Sequence, residues 1–362
     1  MSTPPRSISG SREAPVATLT WSDALGKRVR RGDWADQAIS TTRKVHEAVD
    51  AGQWEVAAQL VDYFMEEAKV CHVIYTVWSE GFERFLLGRG VTDGELAAER
   101  VRLAHLLHFP DGEDFAPHPR WRRLGELAGG LGNDLRGFEV DAAAAHERFE
   151  ELRERWRQLH DRWADYQSGL LTFAADRFGE AAVGQCFAEV LEPYLGERYA
   201  PFDTRVQPYE DTLERNLYLA FEAMRAHLCG PERTGEVGLE EHDDRWVISF
   251  DPCGSGGRGQ RGDDIEGTPS RSDPPYGFAV TTEPHDWAGN EVGVCLYCAH
   301  CVVALQKWPM EQWGAPVRVV DPPLHPAETV ESRKQCQWTV YKTVEAVPEE
   351  AYRRVGAVKP GS

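Results

Sequence analysis

A chain of 362 residues is long enough to bury a sizeable core and to divide into two domains. Hydrophobic residues are 41% and charged residues 27%, the balance of a globular chain rather than a disordered one. The net charge of −19 argues against a nucleic-acid binder, since phosphate contacts need clustered Lys and Arg, and the one basic run, Arg120-Trp121-Arg122-Arg123, is short.

No apolar run approaches the roughly 18–20 residues of a membrane span. Met1 to Pro15 is rich in Ser, Pro and Arg and lacks the apolar stretch of a secretory signal. Residues 1–32 therefore read as a disordered tail on a cytoplasmic protein. Its thiols would stay reduced there, so grouped cysteines favour metal binding or catalysis over disulfides.

Residues 33–230 read as a helical bundle. Asp33 or Thr41 would cap a first helix ending near Ala51. A second, from Gln53 to Leu87, carries Leu60, Phe64, Cys71, Ile74, Trp78, Phe82 and Phe85 at three- and four-residue steps. Thr92 and Glu95 have the spacing of a capping box, and that helix should stop near His108, before Pro110 and Gly112. The clearest period runs from Ala142 through Phe149, Trp156, Trp163 and Leu170 to Phe173. It predicts one long helix packed along its length, with the intervening Glu, Arg, Asp and Gln on a solvated face. The seam also allows a homodimer. Further helices are expected near 179–195 and 209–229.

The composition changes at Gly230: 9 of the 22 prolines precede it and 13 follow. Residues 231–362 read as a Cys-rich α+β domain with a short, mostly antiparallel sheet. Strands are expected at Arg245–Phe250, Phe278–Thr282, Pro316–Val320 and Gln337–Tyr341, and a helix from Cys298 to about Trp308. Gly254 to Tyr276 is long, polar and Gly/Pro-rich, the pattern of a lid, a binding loop or a disordered segment.

This region holds five of the eight cysteines. Cys295-x-x-Cys298-x-x-Cys301 has the spacing of thiolates that converge on one ion. A tetrahedral zinc site needs a fourth ligand, from Cys253, Cys336, His285 or His300. The set Cys253, Cys295, Cys298 and Cys301 is the first expectation, with zinc as the metal and an iron–sulfur cluster as the alternative. Cys253 leads a glycine turn, Gly254-Ser255-Gly256-Gly257, whose backbone N–H groups can form an anion nest. That setting suits a nucleophile as well as a ligand. The turn lacks the Gly-Lys-Ser/Thr ending of a P-loop, which removes nucleoside triphosphates.

Other side chains could complete an active site. Arg258 and Arg261 would anchor an anionic substrate, and His285, beside Asp286 and Glu283, would move a proton. His300, between two ligand candidates, would face substrate. His72 and Tyr75 on the second helix could line a pocket, and such a pocket is expected between the two halves.

The closing Cys336-x-Trp338-x-Val340 resembles the C-terminal signature of L-2-amino-thiazoline-4-carboxylate hydrolase-like proteins and of the vinyl-reductase-type ligand-binding domain. Together with Asp-Pro-Cys-Gly-Ser-Gly-Gly-Arg and Cys-x-x-Cys-x-His-Cys, it also looks like a bacterial family of unassigned activity. The resemblance implies small-molecule chemistry or sensing at a thiol or metal centre. The combined expectation is a zinc-dependent hydrolase or lyase that acts on a C–N or C–S bond of a small anionic metabolite. A zinc-stabilised small-molecule or redox sensor and an iron–sulfur redox protein are the rivals.

Overall fold

Residues 18–326 and 336–361 are described by the computed structural model; the expected tail before Thr18 lies outside them. The rest of that tail is not loose chain. Strands β1 (Leu19–Ser22) and β2 (Lys27–Arg30) pair as an antiparallel hairpin. Arg30 is buried there and donates to the Asp36 carbonyl at 2.6 Å.

The architecture is α+β: a helical N-terminal part followed by a region with a small antiparallel sheet. The expected first helix is two, α1 (Trp34–Ala38) capped by Asp33 and α2 (Thr41–Asp50) capped by Ser40. Extended backbone at Ile39 and Ser40 separates them, and each cap side chain accepts an N–H of its helix's first turn. Helix α3 (Trp54–Gly88) is the centre of the bundle and packs on α2 and most extensively on four of the helices that follow it. These are α5 (Pro117–Gly137), α6 (Ala142–Phe178), α7 (Ala181–Arg198) and α8 (Leu213–Ala226). Between them α4 (Asp93–Leu106) starts on the Thr92/Glu95 capping box, with both reciprocal bonds formed. No helix among the described residues is long and apolar enough to cross a membrane.

The seam of α6 is buried from Ala145 to Leu170. Its polar side is not solvated along the whole helix, however. Arg157, His160, Asp161, Arg162, Asp165 and Gln167 are buried as well: the C-terminal part of the chain meets Arg157, Asp161, Arg162 and Asp165, and α3 meets His160 and Gln167.

The sheet has the order β3-β4-β6-β5, all antiparallel: β3 (Gly238–Glu241), β4 (Arg245–Ser249), β6 (Gln337–Tyr341) and β5 (Val319–Asp321). The expected strand at Phe278–Thr282 is absent. Only an isolated bridge, Val280 to Cys295, forms there. Likewise Pro316–Arg318 precede β5 rather than joining it. The Gly254–Tyr276 segment is folded in, with a short helix α9 (Gly256–Arg261) whose residues are mostly buried. A final short helix, α12 (Glu349–Arg353), follows the sheet.

The helix begun after Cys298 continues past Pro309 as α10 (Ala299–Val302), a π-helical turn (Val303–Lys307) and α11 (Trp308–Trp313). Pro309 has no N–H to give the Leu305 carbonyl four residues back. The N–H of Arg318 takes that carbonyl instead, at 2.9 Å. A local rule for proline thus decides where Arg318 enters the fold.

Trp156 on α6 has no exposed surface, and its Nε1 donates to the Ala226 carbonyl at 2.8 Å. Trp156→Ala is expected to cost about 3–5 kcal/mol. A denaturant titration would show this as a lowered midpoint; a loss below about 1 kcal/mol would place this ring outside the packed core.

Candidate functional site

The β4–β6 pairing sets the site. Its register puts Ser249 opposite Gln337. The chain leaving β4 at Phe250 and the chain entering β6 at Cys336 are therefore neighbours. Cys253, three residues past Phe250, meets the Cys336 thiol in a hydrogen bond. Cys295 and Cys298 form a second such pair across their own turn. The Cys298 thiol also feels the charge of Cys253 and Cys336, and Cys301 interacts with the same two, so five sulfurs share one neighbourhood. Gly256 makes this possible. A Cβ there would lie 1.8 Å from Cys298 Sγ, so only glycine lets the turn close over that sulfur.

The partner thiol, helped by backbone N–H groups, favours thiolate at one member of each pair. At Cys253 the Cys336 hydrogen bond outweighs burial, the Gly257 N–H (3.0 Å) and Ser255 add to it, and the thiol is brought down to about 6. Cys295 is lowered by its bond from Cys298, against burial, with help from the N–H groups of Cys298 and Tyr297. Their partners move the other way. Cys298 is raised by its bond to Cys295 and by burial, and Cys336 by its bond to Cys253 and by burial. Among the described residues, no three His, Cys, Asp or Glu side chains already form a ready ion site.

Cys301, expected as the third thiolate of the knuckle, is close enough to Cys253 and Cys336 to interact with both, and it also faces a cavity. One turn of α10 carries it to the wall of a cavity, where its Sγ lies 3.2 Å from His300 Nε2. His300 Nδ1 donates to the Tyr297 carbonyl, so Nε2 is left to accept the thiol proton.

The cavity, about 80 Å³, lies between the helical part and the C-terminal region. That is room for on the order of half a dozen waters or a ligand of similar size. Helix α3 supplies Cys71, Tyr75 and Trp78, α8 supplies Met224 and its neighbour His227, and the Cys295–Leu305 segment supplies Tyr297, His300 and Cys301. Two arginines also line it. Arg318 is 3% exposed; its Nε and Nη2 donate to Asn216, at 2.7 Å and 2.9 Å, and its guanidinium lies 4.7 Å over the Trp338 ring. Burial pulls its pKa down to about 10. Arg198 donates to the Tyr194 hydroxyl at 3.1 Å. Neither arginine has a carboxylate partner among the described residues.

Behind the cavity runs a hydrogen-bonded series. The Tyr75 hydroxyl is 2.9 Å from His160 Nε2, and His160 Nδ1 is 2.9 Å from Asp161 Oδ1. The carboxylate fixes the tautomer: Nδ1 donates to Asp161, and Nε2 accepts from Tyr75. Asp161 is 1% exposed and takes Arg233 on both oxygens, at 2.6 Å and 3.1 Å. Arg157 at 3.1 Å and Arg258 at 3.5 Å add to it. Burial alone would raise this carboxyl; Arg233 and Arg258 overcome that and hold it well below the usual range.

Several expected site residues have other employment. Arg258 is 2% exposed and held by Asp165 at 2.6 Å, by Asp161 and by the Gly254 carbonyl, with Asp263 3.8 Å from its Nη1, so its charge is already matched by carboxylates. Arg261 is paired with Asp251. His285 binds Glu180 at 2.8 Å, rather than Asp286 or Glu283, and stacks on Trp287; neither ring lines the cavity. His72 takes the Trp163 Nε1–H at 3.2 Å and stacks on Trp121, also outside the cavity. Of the residues expected in a pocket or near substrate, Tyr75 and His300 are in the cavity wall. The arginines that line it were missed. Pro309 was the available signal for Arg318, since a proline in a helix frees a carbonyl that some other N–H must take.

Burial pulls His72 down to about 4 and His227 down to about 3, each with a nearby histidine adding to the effect. The unfolded chain then binds protons that the native one refuses. Stability from this source is complete above about pH 6.5 and is lost as pH falls from there towards 4, by roughly 1–2 kcal/mol per histidine between pH 7 and 5. Denaturant midpoints at the two pH values should show it, and an equal or higher midpoint at pH 5 would contradict the neutral burial of these rings. Comparison with known proteins adds no further guide: no family model matches the chain, and neither does any curated protein or solved structure.

Proposed function

We propose that the protein is an enzyme acting on a small anionic metabolite held in the cavity between its two parts. A zinc ion bound by Cys253, Cys295, Cys298 and Cys336 would staple the wall behind it. The observation that carries this reading is the pair of cavity-lining arginines, Arg198 and Arg318, with no carboxylate partner among the described residues. A buried guanidinium without a counter-ion is costly, and a ligand carboxylate or phosphate would supply one. The planar fork of an arginine suits either group.

Four thiolates fill a tetrahedral zinc ion and leave no open position for water, so the metal would be structural. An iron–sulfur cluster on the same sulfurs is the alternative occupant. The reacting groups would then be those of the cavity. Tyr75 backed by His160 and Asp161 offers a route for a proton, and the Cys301 thiol beside His300 offers a second polar group. A hydrolytic or lyase step on a C–N or C–S bond would draw on such proton transfers.

Calorimetric titration with small mono- and dicarboxylates and inorganic phosphate tests the anion site. At least one should bind, and Arg318→Gln should weaken it by about 10- to 150-fold, the worth of a charge-assisted hydrogen bond. Equal binding by Arg318→Gln would overturn the assignment. Binding without turnover of any related compound would make the protein a ligand sensor with the same site.

Elemental analysis tests the staple. One zinc per chain is expected in the wild type and in Cys301→Ser, while Cys336→Ser should lose it. The opposite pattern would restore Cys301 as a ligand in place of Cys336.

A further inference from the structure

A second group of histidines lies on the outside of the bundle, where α2 crosses the start of α6. His46 and His146 face each other with their Nδ1 atoms 2.6 Å apart. Each ring's other nitrogen is held by a carboxylate: His46 Nε2 by Glu150 at 2.7 Å, and His146 Nε2 by Asp50 at 2.9 Å. An ionised carboxylate only accepts, so both Nε2 atoms must carry the proton. In the neutral rings both Nδ1 atoms are then lone pairs pointed at one another, and only a proton on one ring or a metal ion can lie between them. Two lone pairs at that distance repel unless a cation lies between them.

We propose that His46 and His146 bind a divalent transition-metal ion through their Nδ1 atoms. Imidazole nitrogens select zinc, nickel or copper over magnesium or calcium. A histidine that ligates by one nitrogen and donates its other N–H to a carboxylate is the usual support of such a site, and here both rings have it. At a metal–nitrogen distance of about 2.0–2.1 Å and a tetrahedral angle, the nitrogens would stand about 3.3 Å apart. The rings would have to part by about 0.7 Å, and both are on the surface side of their helices, with side chains 27% and 30% exposed.

The surroundings favour a cation. Asp50 is the last residue of α2, where the helix dipole is negative, and that last turn has no basic residue. Glu47 and Glu150 add further negative charge. The counter-charges are Lys44, which reaches Glu47 at 3.3 Å, and Arg153, which takes Glu150 Oε2 at 2.7 Å and leaves Oε1 to His46. Water would complete the coordination on the exposed side. The ion would tie α2 to α6, far in sequence from the four cysteines and independent of them.

The test uses zinc-replete full-length protein titrated calorimetrically with Ni2+ and with Zn2+. One ion per chain beyond the resident metal is expected. His46→Gln and His146→Gln should each lose it, with unchanged circular dichroism. Glu150→Gln, which leaves both imidazoles in place, should weaken it by about 10- to 100-fold. If the space between the rings holds only a proton, the wild type will take up no additional ion at millimolar Ni2+, and the proposal falls. Uptake that is the same in both histidine variants would overturn it too.

Discussion

A carboxylate with almost no exposed surface, Asp161, holds the two parts of this chain together. It lies midway along α6, and Arg233 and Arg258, both from the C-terminal side, converge on it together with Arg157 of its own helix. Asp165 one turn later does the same with Arg258 and Arg271. Burying so many charges is costly, and removing one partner would leave the others uncompensated. The network is therefore weak as a source of net stability and strong as a specification. It allows few alternative ways of placing the glycine turn on α6.

That placement produces both candidate sites. The turn that delivers Arg258 to Asp165 also delivers Cys253 to Cys336 and Gly256 to Cys298. From Cys298 a single helical turn leads to His300 and Cys301 in the cavity wall, and Tyr297 sits between the paired cysteines with its ring on the same cavity. The placement of these cysteines thus fixes the orientation of Tyr297, His300 and Cys301 in the cavity wall. Asp161 reaches the cavity from the other side, through His160 and Tyr75.

The helices were legible wherever an apolar period was long and unbroken. The α3 and α6 patterns gave their spans to within a few residues, since a 3.6-residue period is a local property. Helix α5 was missed. Its Leu124, Ala128, Leu131 and Leu135 have the right spacing, but Gly125, Gly129, Gly130 and Gly132 lie among them and lower the helix signal. Residues 278–282 misled in the other direction. Their β-branched composition suits a strand, yet the segment at 293–296 pairs with them only through one bridge and a few backbone bonds, and strand formation is a property of the pair.

The sequence by itself determined the long helices, the Thr92/Glu95 capping box, the thiol-rich character of the last third and the strand that feeds Cys253. Each follows from residues close together in the chain. Tertiary structure decided the partners. Arg258 beside three glycines reads as a free anion anchor, until Asp165, 93 positions away, occupies it. Arg318 reads as one residue of a strand, until a proline frees the carbonyl that its backbone N–H takes and Asn216, 102 positions away, aligns its side chain. Cys336 lies 35 positions beyond Cys301 and outside the knuckle spacing, yet sheet register brings its thiol to Cys253. A charge or a thiol is the same group in either role, and only the long-range fold says which of its possible partners is within reach.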